Sequence, residues 1–450
     1  MRCLVGLDDT DSRLGQCTTH LGFRAIPALL SEGCTFRRYP RLVRLNPNIP
    51  FKTRGNAAVC LDFESERPDA AFETVESLLR ELSDVENGAN SGAVFVTGDP
   101  EARLFRPIYE RALSGVVSPR WVSRVLKSNA VRSSTLGNGM GIVGAAASLG
   151  FSEEDDHTYE LVAYRRPENC GTPRVVDPER VMRAERALFP YVFNSYDYGA
   201  GRSLIAPHGP DPVFAGVRAA SPSIAMKAFG MLSYEEKLAG HMVYLSNQCT
   251  DAHLSNPLRM PLSAYSAGWL SGSVRSVGDG DGGHVYISLD ADGREVPCAV
   301  YGPAGDLVRM SRQLAPGDRL IVFGGVRRGT HAHPAIVNVE KFEVLSVAEK
   351  VQYENPACPV CTRRMKSEGR GKGFQCHGCG ARSRSVRKKA TIIRRNIEPG
   401  VYLPSPGAQR HLTKPLVRYG RERRVAYPLV EGWIVSESVR ALRVPAKSPR

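Results

Sequence analysis

Two short strings near one end, Cys358-Pro-Val-Cys361 and Cys376-His-Gly-Cys379, separated by fourteen residues, constrain this chain more than any other feature. Each CxxC turn presents two thiolates on one side of a tight loop, and zinc takes four soft ligands in a tetrahedron. The pair therefore specifies a zinc module rather than a redox dithiol. Four thiolates close the coordination shell, so this zinc is structural. A zinc-dependent hydrolase is excluded on ligand count, and the chain has no HExxH-like string. The other cysteines (Cys3, Cys17, Cys34, Cys60, Cys170, Cys249 and Cys298) are scattered, which suits a reducing compartment and a cytoplasmic protein.

The charge lies where the zinc module lies. Of 450 residues, 60 are Lys+Arg and 46 Asp+Glu, a net of +14, yet residues 358–450 alone hold 22 Lys+Arg against 5 Asp+Glu. The rest of the chain is close to neutral. Arg363 and Arg364 in the module, then Lys388, Lys389, Arg394, Arg395, Arg410 and Lys414, form a cationic set suited to displacing counterions from a nucleic-acid backbone. A solvated charged face is the alternative. No stretch approaches the ~20 apolar residues of a membrane span, and the length suits two to four domains.

Upstream of the module, residues 268–347 carry short apolar runs punctuated by Gly and Asp: Gly268–Val277, His284–Leu289, Glu295–Tyr301, Arg319–Phe323 and Ala335–Glu343, with a helix at Ala304–Leu314. Five strands and one helix fit an OB-fold β-barrel. The first 150 residues alternate instead. Strands are expected at Cys3–Leu7, Arg41–Leu45, Ala57–Phe63 and Ala93–Thr97. Helices are expected at Cys17–Leu30, Asp69–Leu82, Pro100–Leu113 and Gly141–Gly150. This is an α/β or α+β unit. A second mixed unit runs from the strand Tyr159–Arg165 to the strand His241–Ser246.

Gly6-Leu7-Asp8-Asp9-Thr10-Asp11-Ser12 places three carboxylates and two hydroxyls at the end of the first strand. Asp8, Asp9 and Asp11 can hold Mg²⁺ against triphosphate oxygens, and Thr18 and Thr19 start the next helix, where backbone N–H groups favour an anion. A capped Asp-rich turn is the alternative. Asn46, Asn48, Lys52 and Arg54 supply amides and cations for the same ligand, in place of the missing Walker A motif. Gly137, Gly139 and Gly141 open a helix and either wrap phosphate or ribose or permit close packing.

In order, these strings resemble those of the archaeal isoleucine-tRNA 2-agmatinylcytidine synthetases. Further matching strings are Tyr159-Glu160-Leu-Val-Ala-Tyr164-Arg165, Phe193-Asn194-Ser-Tyr196-Asp197, Pro207-His208-Gly-Pro-Asp211-Pro and Asn247-Gln248-Cys-Thr250-Asp251-Ala-His253. The resemblance implies a multidomain α+β protein. Its parts are a threonine-autophosphorylating kinase-like ATP domain (1–156), a ferredoxin-like domain (157–262), an OB fold (266–347), a zinc ribbon (352–385) and a basic tRNA-binding segment (386–450). It implies ATP as co-substrate with Mg²⁺, structural Zn²⁺, agmatine, and the minor isoleucine tRNA with anticodon CAU. The product is 2-agmatinylcytidine at the wobble base, made through a phosphorylated 2-oxygen, and the change switches decoding to AUA. Asp8, Asp9, Asp11 and Thr18 would be catalytic; Thr10 and Thr19 would join the ATP set. Asp197, His208, Asp211, Asp251 and His253 are the candidates for agmatine, with turn formation and capping as their ordinary alternative. No membrane and no obligate protein partner are expected. Arg13 stands where Pro is expected, Ser195 where Asn is, and Cys249 where Gly is. The last bears on the backbone at Asn247–Asp251, because Gly tolerates positive φ and Cys does not readily. The rival from another class is a non-catalytic RNA- or single-stranded nucleic-acid-binding protein on a nucleotide-binding scaffold.

Overall fold

The computed structural model describes residues 1–99, 102–331 and 333–437. Pro100 and Glu101, at the expected start of a helix, Ala332, and residues 438–450 of the basic tail lie outside the described residues. An apolar run forms β1 (Arg2–Asp8), with Cys3, Leu4, Val5 and Leu7 all fully buried. After it come α1 (Thr18–Ser31), β2 (Arg41–Arg44), β3 (Ala57–Glu64), α2 (Pro68–Leu82), β4 (Gly92–Thr97), α3 (Ala102–Ser114), α4 (Pro119–Ser128), β5 (Arg132–Thr135) and α5 (Ile142–Leu149). The second unit supplies β6 (Thr158–Arg165), α6 (Pro178–Ala187), the hairpin β7 (Tyr196–Asp197) and β8 (Arg202–Ser203), β9 (Val213–Ala219), α7 (Pro222–Gly230) and β10 (Leu238–Ser246).

The two units share one sheet, in the order β5-β4-β1-β3-β2-β10-β6-β9. The junction is a short parallel pairing of β2 with β10, Arg41 opposite Leu245 and Leu42 opposite Ser246, while the other neighbours along this path run antiparallel. Side chains extend the ladder where the backbone pairing stops. Arg44 N donates to Asn247 Oδ1 at 2.7 Å, and Asn247 Nδ2 donates to Arg44 O at 2.9 Å. The end of β2 is thus locked to the segment that follows β10.

Glycines let α5 lie directly on this sheet. A Cβ on Gly141 would sit 2.6 Å from Gly92 N, and one on Gly144 would sit 1.8 Å from Asp8 Oδ2. The Asp8 carboxylate therefore occupies the space that a side chain on α5 would fill. Of the two expectations for this loop, close packing describes Gly141; Gly137 and Gly139 make the preceding turn with φ of 61° and 73°.

A separate core gathers around β11 (Ala267–Asp279), β12 (Val285–Ala291), β13 (Arg294–Val300), α8 (Asp306–Ser311), β14 (Arg319–Arg327) and β15 (Ile336–Ser346). The strand order is β13-β12-β11-β14-β15, and β13 also pairs with β15 in parallel through Cys298 and Val337. The five strands therefore return on themselves around Val285, Ile287, Leu320, Val322, Val337 and Phe342. Next, β16 (Lys350–Glu354) leads into three two-residue strands, β17 (Lys366–Ser367), β18 (Phe374–Gln375) and β19 (Arg382–Ser383). Then β20 (Lys389–Ile393) returns alongside β16.

The C-terminal segment is more than a basic arm. Its β21 (Gly400–Tyr402) pairs with β15, and its β22 (Ile434–Ser436) pairs with β10, placing Trp433 in the main core at 1% exposure. Arg395, expected to contact tRNA, is turned inward and grips Asp318 with both terminal nitrogens, at 2.5 and 2.8 Å. Lys414 is likewise buried against Glu422. Arg418 binds Asp156 Oδ1 at 2.6 Å and Cys249 O at 2.9 Å. Cys249 does adopt the left-handed backbone that favours Gly, with φ 59°. Cys249 N donates to His411 O at 2.9 Å, so the tail holds the conformation that this side chain disfavours. Among the described residues no helix is long and apolar enough to cross a membrane.

Candidate functional site

A cavity of about 340 Å³ opens where the end of β1, the start of α1, the loop after β2 and the faces of β6 and β9 converge. Asp8 ends β1; Asp9 follows with φ 59°, a conformation Asp tolerates, and this turn sends Asp8, Asp9 and Asp11 into one space. Burial raises the pKa of all three. Asp8 is pushed well up by burial first and by Asp9 and Asp11 next, and Asp11 is pushed up to about 6 by burial, against the opposing pull of Arg54. Crowded, partly desolvated carboxylates of this kind favour a bound cation.

α1 begins in the same space, and its N-cap residue, Cys17, gives it no side-chain cap. Cys17, Thr18 and Thr19 line the cavity, so the positive end of the helix dipole lies at its wall. Thr18 Oγ1 receives Thr10 Oγ1–H at 3.2 Å, which places its hydroxyl beside the Asp loop. The hydroxyls of Tyr164 and Tyr244 both donate to Thr19 O, at 3.0 and 2.7 Å, and pin the start of α1 from behind.

Arg54 braces the loop. It donates to Gln16 O, Ser12 O and Gly15 O at 2.9, 2.9 and 3.0 Å, and it stands 3.8 Å from Asp11 and 3.5 Å from Asp211. Because this cation opposes the rise in the Asp11 pKa, Arg54→Ala should raise that pKa further. A carboxyl titration of Asp11 in the cation-free protein, wild type against Arg54→Ala, measures it: the variant should titrate above the wild-type value of about 6, and an unmoved titration would show that Arg54 does not hold it down.

The opposite wall is cationic. Arg44, Arg218, Glu160 and His411 line it, with Glu160 and Arg218 directly opposite each other on β6 and β9. Gln248 donates to Glu160, and Arg218 Nη2 donates to His411 Nδ1 at 3.0 Å. None of these residues is a site candidate on sequence grounds. Glu160 and Gln248 lie within the family-like strings, but Arg44, Arg218 and His411 carry no local signal.

The zinc module is compact. The four cysteine sulfurs all lie within 4.8 Å of one another, with Cys358–Cys379 at 3.6 Å and Cys361–Cys376 at 3.4 Å. Four thiolates about 2.3 Å from a tetrahedral zinc are separated by about 3.8 Å, so this donor set fits the ion.

Compared with known proteins, residues 4–138 match the model of the TiaS TCKD domain, 139–253 the TiaS FLD domain and 355–397 the TiaS C-terminal zinc ribbon domain. The chain is 42% identical over 435 residues to the isoleucine-tRNA 2-agmatinylcytidine synthetase TiaS of Cenarchaeum symbiosum, covering 96% of each chain. The chain belongs to the TiaS family. The TiaS of Methanosarcina mazei is 37% identical, over 94% of this chain and 98% of that one. Among solved structures, a complex of TiaS with its isoleucine tRNA and ATP aligns with a TM-score of 0.85 at 33% identity, covering 93% of this chain and 97% of the other. A complex of TiaS with the same tRNA, AMPCPP and agmatine gives 0.81 at 31%, with the same coverage. The shared architecture is a multidomain α/β fold with a C-terminal zinc ribbon.

Within this TiaS chain the expected residues are distributed unevenly. Asp8, Asp9, Asp11, Thr18, Thr19, Lys52, Arg54, Gly141 and Asp211 line the cavity. Thr10 is buried behind Thr18. Asn46 and Asn48 shape the loop from outside it: Asn46 Nδ2 donates to Tyr265 O at 2.8 Å, and Asn48 Nδ2 to Glu340 at 3.3 Å. Asp197 caps its own turn at Gly199 N and Ala200 N, 3.1 and 3.0 Å away, and His208 is exposed. Asp251 pairs with Lys341 and His253 with Glu340, both across to β15. These last two lie in the joint between the main sheet and the five-stranded unit, outside the cavity lining. Arg363, Arg364, Lys388, Lys389, Arg394 and Arg410 are exposed.

Proposed function

We propose that this protein uses ATP to replace the 2-oxygen of the wobble cytidine of the minor isoleucine tRNA by agmatine. The observation that carries this reading is the convergence, in one cavity, of three carboxylates, an uncapped helix start bearing Thr18, and a wall of arginines. A pyrimidine carbonyl oxygen is a poor leaving group. Once a phosphoryl group from ATP is placed on it, the agmatine nitrogen can form the new C–N bond as the C–O bond breaks and phosphate departs. An acceptor in the cavity takes the proton from the amine. Mg²⁺ held by Asp8, Asp9 and Asp11 would neutralise triphosphate charge during phosphoryl transfer. Asp211, beside Arg54 and Arg174 and lining the cavity, is the agmatine candidate that the geometry favours for the guanidinium.

In this reading residues 1–156 are the kinase-like ATP unit and residues 157–262 the ferredoxin-like unit. The returning five-stranded sheet supports an OB-type barrel for 266–347. The exposed cations of the ribbon and β20 grip tRNA by its phosphates, and Zn²⁺ on Cys358, Cys361, Cys376 and Cys379 holds that grip in shape. Cys376→Ser should remove the zinc and weaken tRNA binding by about tenfold or more with a shallower salt dependence. MgATP affinity should be unchanged, since the ribbon does not line the cavity. Metal content and filter binding at two salt concentrations test this; intact tRNA affinity without zinc would contradict it. The non-catalytic alternative is separated by ATP consumption with tRNA and agmatine, wild type against Asp8→Ala. Equal consumption by the two would favour the scaffold.

A further inference from the structure

Arg44 at the end of β2 and Arg218 on β9 are mostly buried, with side chains 13% and 16% exposed, and both line the cavity. Their hydrogen-bonding capacity is largely unused. Arg44 Nη1 has Gly55 O at 3.4 Å, its Nη2 stands 4.0 Å from Glu160 Oε2, and its Nε–H has no acceptor. Arg218 Nε lies 3.4 Å from Glu160 Oε1 but out of line for a hydrogen bond. Glu160, itself engaged by Gln248, is the carboxylate that faces both cations. Buried guanidinium N–H groups without acceptors are costly and mark a place where a ligand completes the bonding. His411 contributes from the tail. The cation of Arg44, burial and then Arg218 and Arg410 hold its pKa well below the usual range, so the ring adds no third positive charge; its Nδ1 lies 3.0 Å from Arg218 Nη2 and 3.1 Å from Gln248 Oε1, and in the Nε2–H tautomer it accepts from Arg218.

We propose that Arg44 and Arg218 form an anion subsite for a phosphoryl group on the cavity wall facing the Asp cluster, with His411 as the positioning residue for Arg218. The inference rests on the ligase reading above, which supplies two sources of the same chemistry: the triphosphate of ATP and the phosphoryl group on the cytidine 2-oxygen. A guanidinium fork matches two phosphoryl oxygens at once, and a partly desolvated site strengthens that match. The opposite wall, with Asp8, Asp9, Asp11 and Asp211, is anionic and suits the metal and the agmatine cation. One cavity can therefore hold an anion and a cation without exchanging them.

Full-length Arg44→Met and Arg218→Met are compared with wild type in two measurements: MgATP affinity without tRNA, and agmatine transfer to tRNA. A loss of about tenfold or more in ATP affinity assigns the subsite to the triphosphate. Unchanged ATP affinity with kcat for transfer reduced about tenfold or more assigns it to the activated cytidine. Both quantities within about twofold of wild type, in both variants, would overturn the subsite. Should either Met variant fail to fold, the Arg→Lys pair keeps the charge, loses the fork and is read by the same two measurements. His411→Gln, which retains an acceptor, should keep transfer near wild type, whereas His411→Leu should reproduce the kcat or affinity defect of Arg218→Met; equal behaviour of the two would overturn the positioning role. A wild-type protein that binds ATP but never transfers agmatine would refute the ligase reading, while the ATP-affinity arm still tests the subsite.

Discussion

Asp8→Asn should raise the thermal midpoint of the cation-free protein by about 1–3 °C and lower agmatine transfer by at least about 10²-fold. Both halves follow from the same crowding. The Asp8 carboxyl is held well above its ordinary pKa by burial and by Asp9 and Asp11, so the folded state disfavours its ionised form. A carboxyl with a raised folded pKa takes up a proton on folding. Its cost is absent below the unfolded value near pH 4, grows as pH rises from there towards the folded value and levels off above it, so it is present in part or whole at neutral pH. Asparagine keeps the shape over Gly144 and removes the charge. In the proposed reading the same substitution also removes a carboxylate that holds Mg²⁺. Millimolar Mg²⁺ should therefore raise the midpoint of the wild type and leave that of Asp8→Asn nearly unmoved. Scanning calorimetry of the two proteins with and without Mg²⁺ reads all of this, and a variant less stable than wild type in cation-free buffer would contradict the assignment.

Thr18→Ala should reduce transfer of labelled phosphate from ATP to the protein to background, with tRNA affinity within about twofold of wild type. Thr18 is 3% exposed at the uncapped start of α1, inside the cavity and away from the exposed cations of the ribbon and β20. The hydroxyl lost to alanine also accepts from the hydroxyl and the backbone N–H of Thr10, at 3.2 and 3.4 Å, so the variant gives up two long hydrogen bonds, each worth about 1 kcal/mol at most. Thr18→Ser, which retains the hydroxyl, should restore part of the label, and Thr19→Ala should keep it, since Thr19 Oγ1 lies against Cys17 Sγ at 3.1 Å. Undiminished labelling of Thr18→Ala would move the phosphate acceptor elsewhere.

The parts of the site that read well from sequence are those made locally. The apolar run before Asp8 gives a strand in the structure; the three carboxylates at and just after its end are brought together there, and the cysteine spacing produces the sulfur cluster. The cationic wall was not legible, because it is assembled by a two-residue parallel pairing of β2 with β10 and by a tail that returns from far along the chain to insert His411. Neither event leaves a periodic signal. The turn-rich strings are held in place by partners that no local pattern announces: Asp197 binds its own backbone, while Asp251 and His253 are held by Lys341 and Glu340 on β15. The charge of the tail is likewise partly spent inside the fold. Arg395, Lys414 and Arg418 add to the basic total of the tail, yet each is neutralised inside the fold by Asp318, Glu422 or Asp156.

The central claim is that this one cavity couples ATP to agmatine addition on a single base. Nucleoside mass spectrometry of the wobble position, after incubating CAU-anticodon isoleucine tRNA with the protein, tests it most directly. The account predicts a cytidine carrying agmatine when ATP and agmatine are both supplied, and unmodified cytidine when either is withheld or when Asp8→Asn replaces the wild type. Unmodified cytidine with all components present would contradict it.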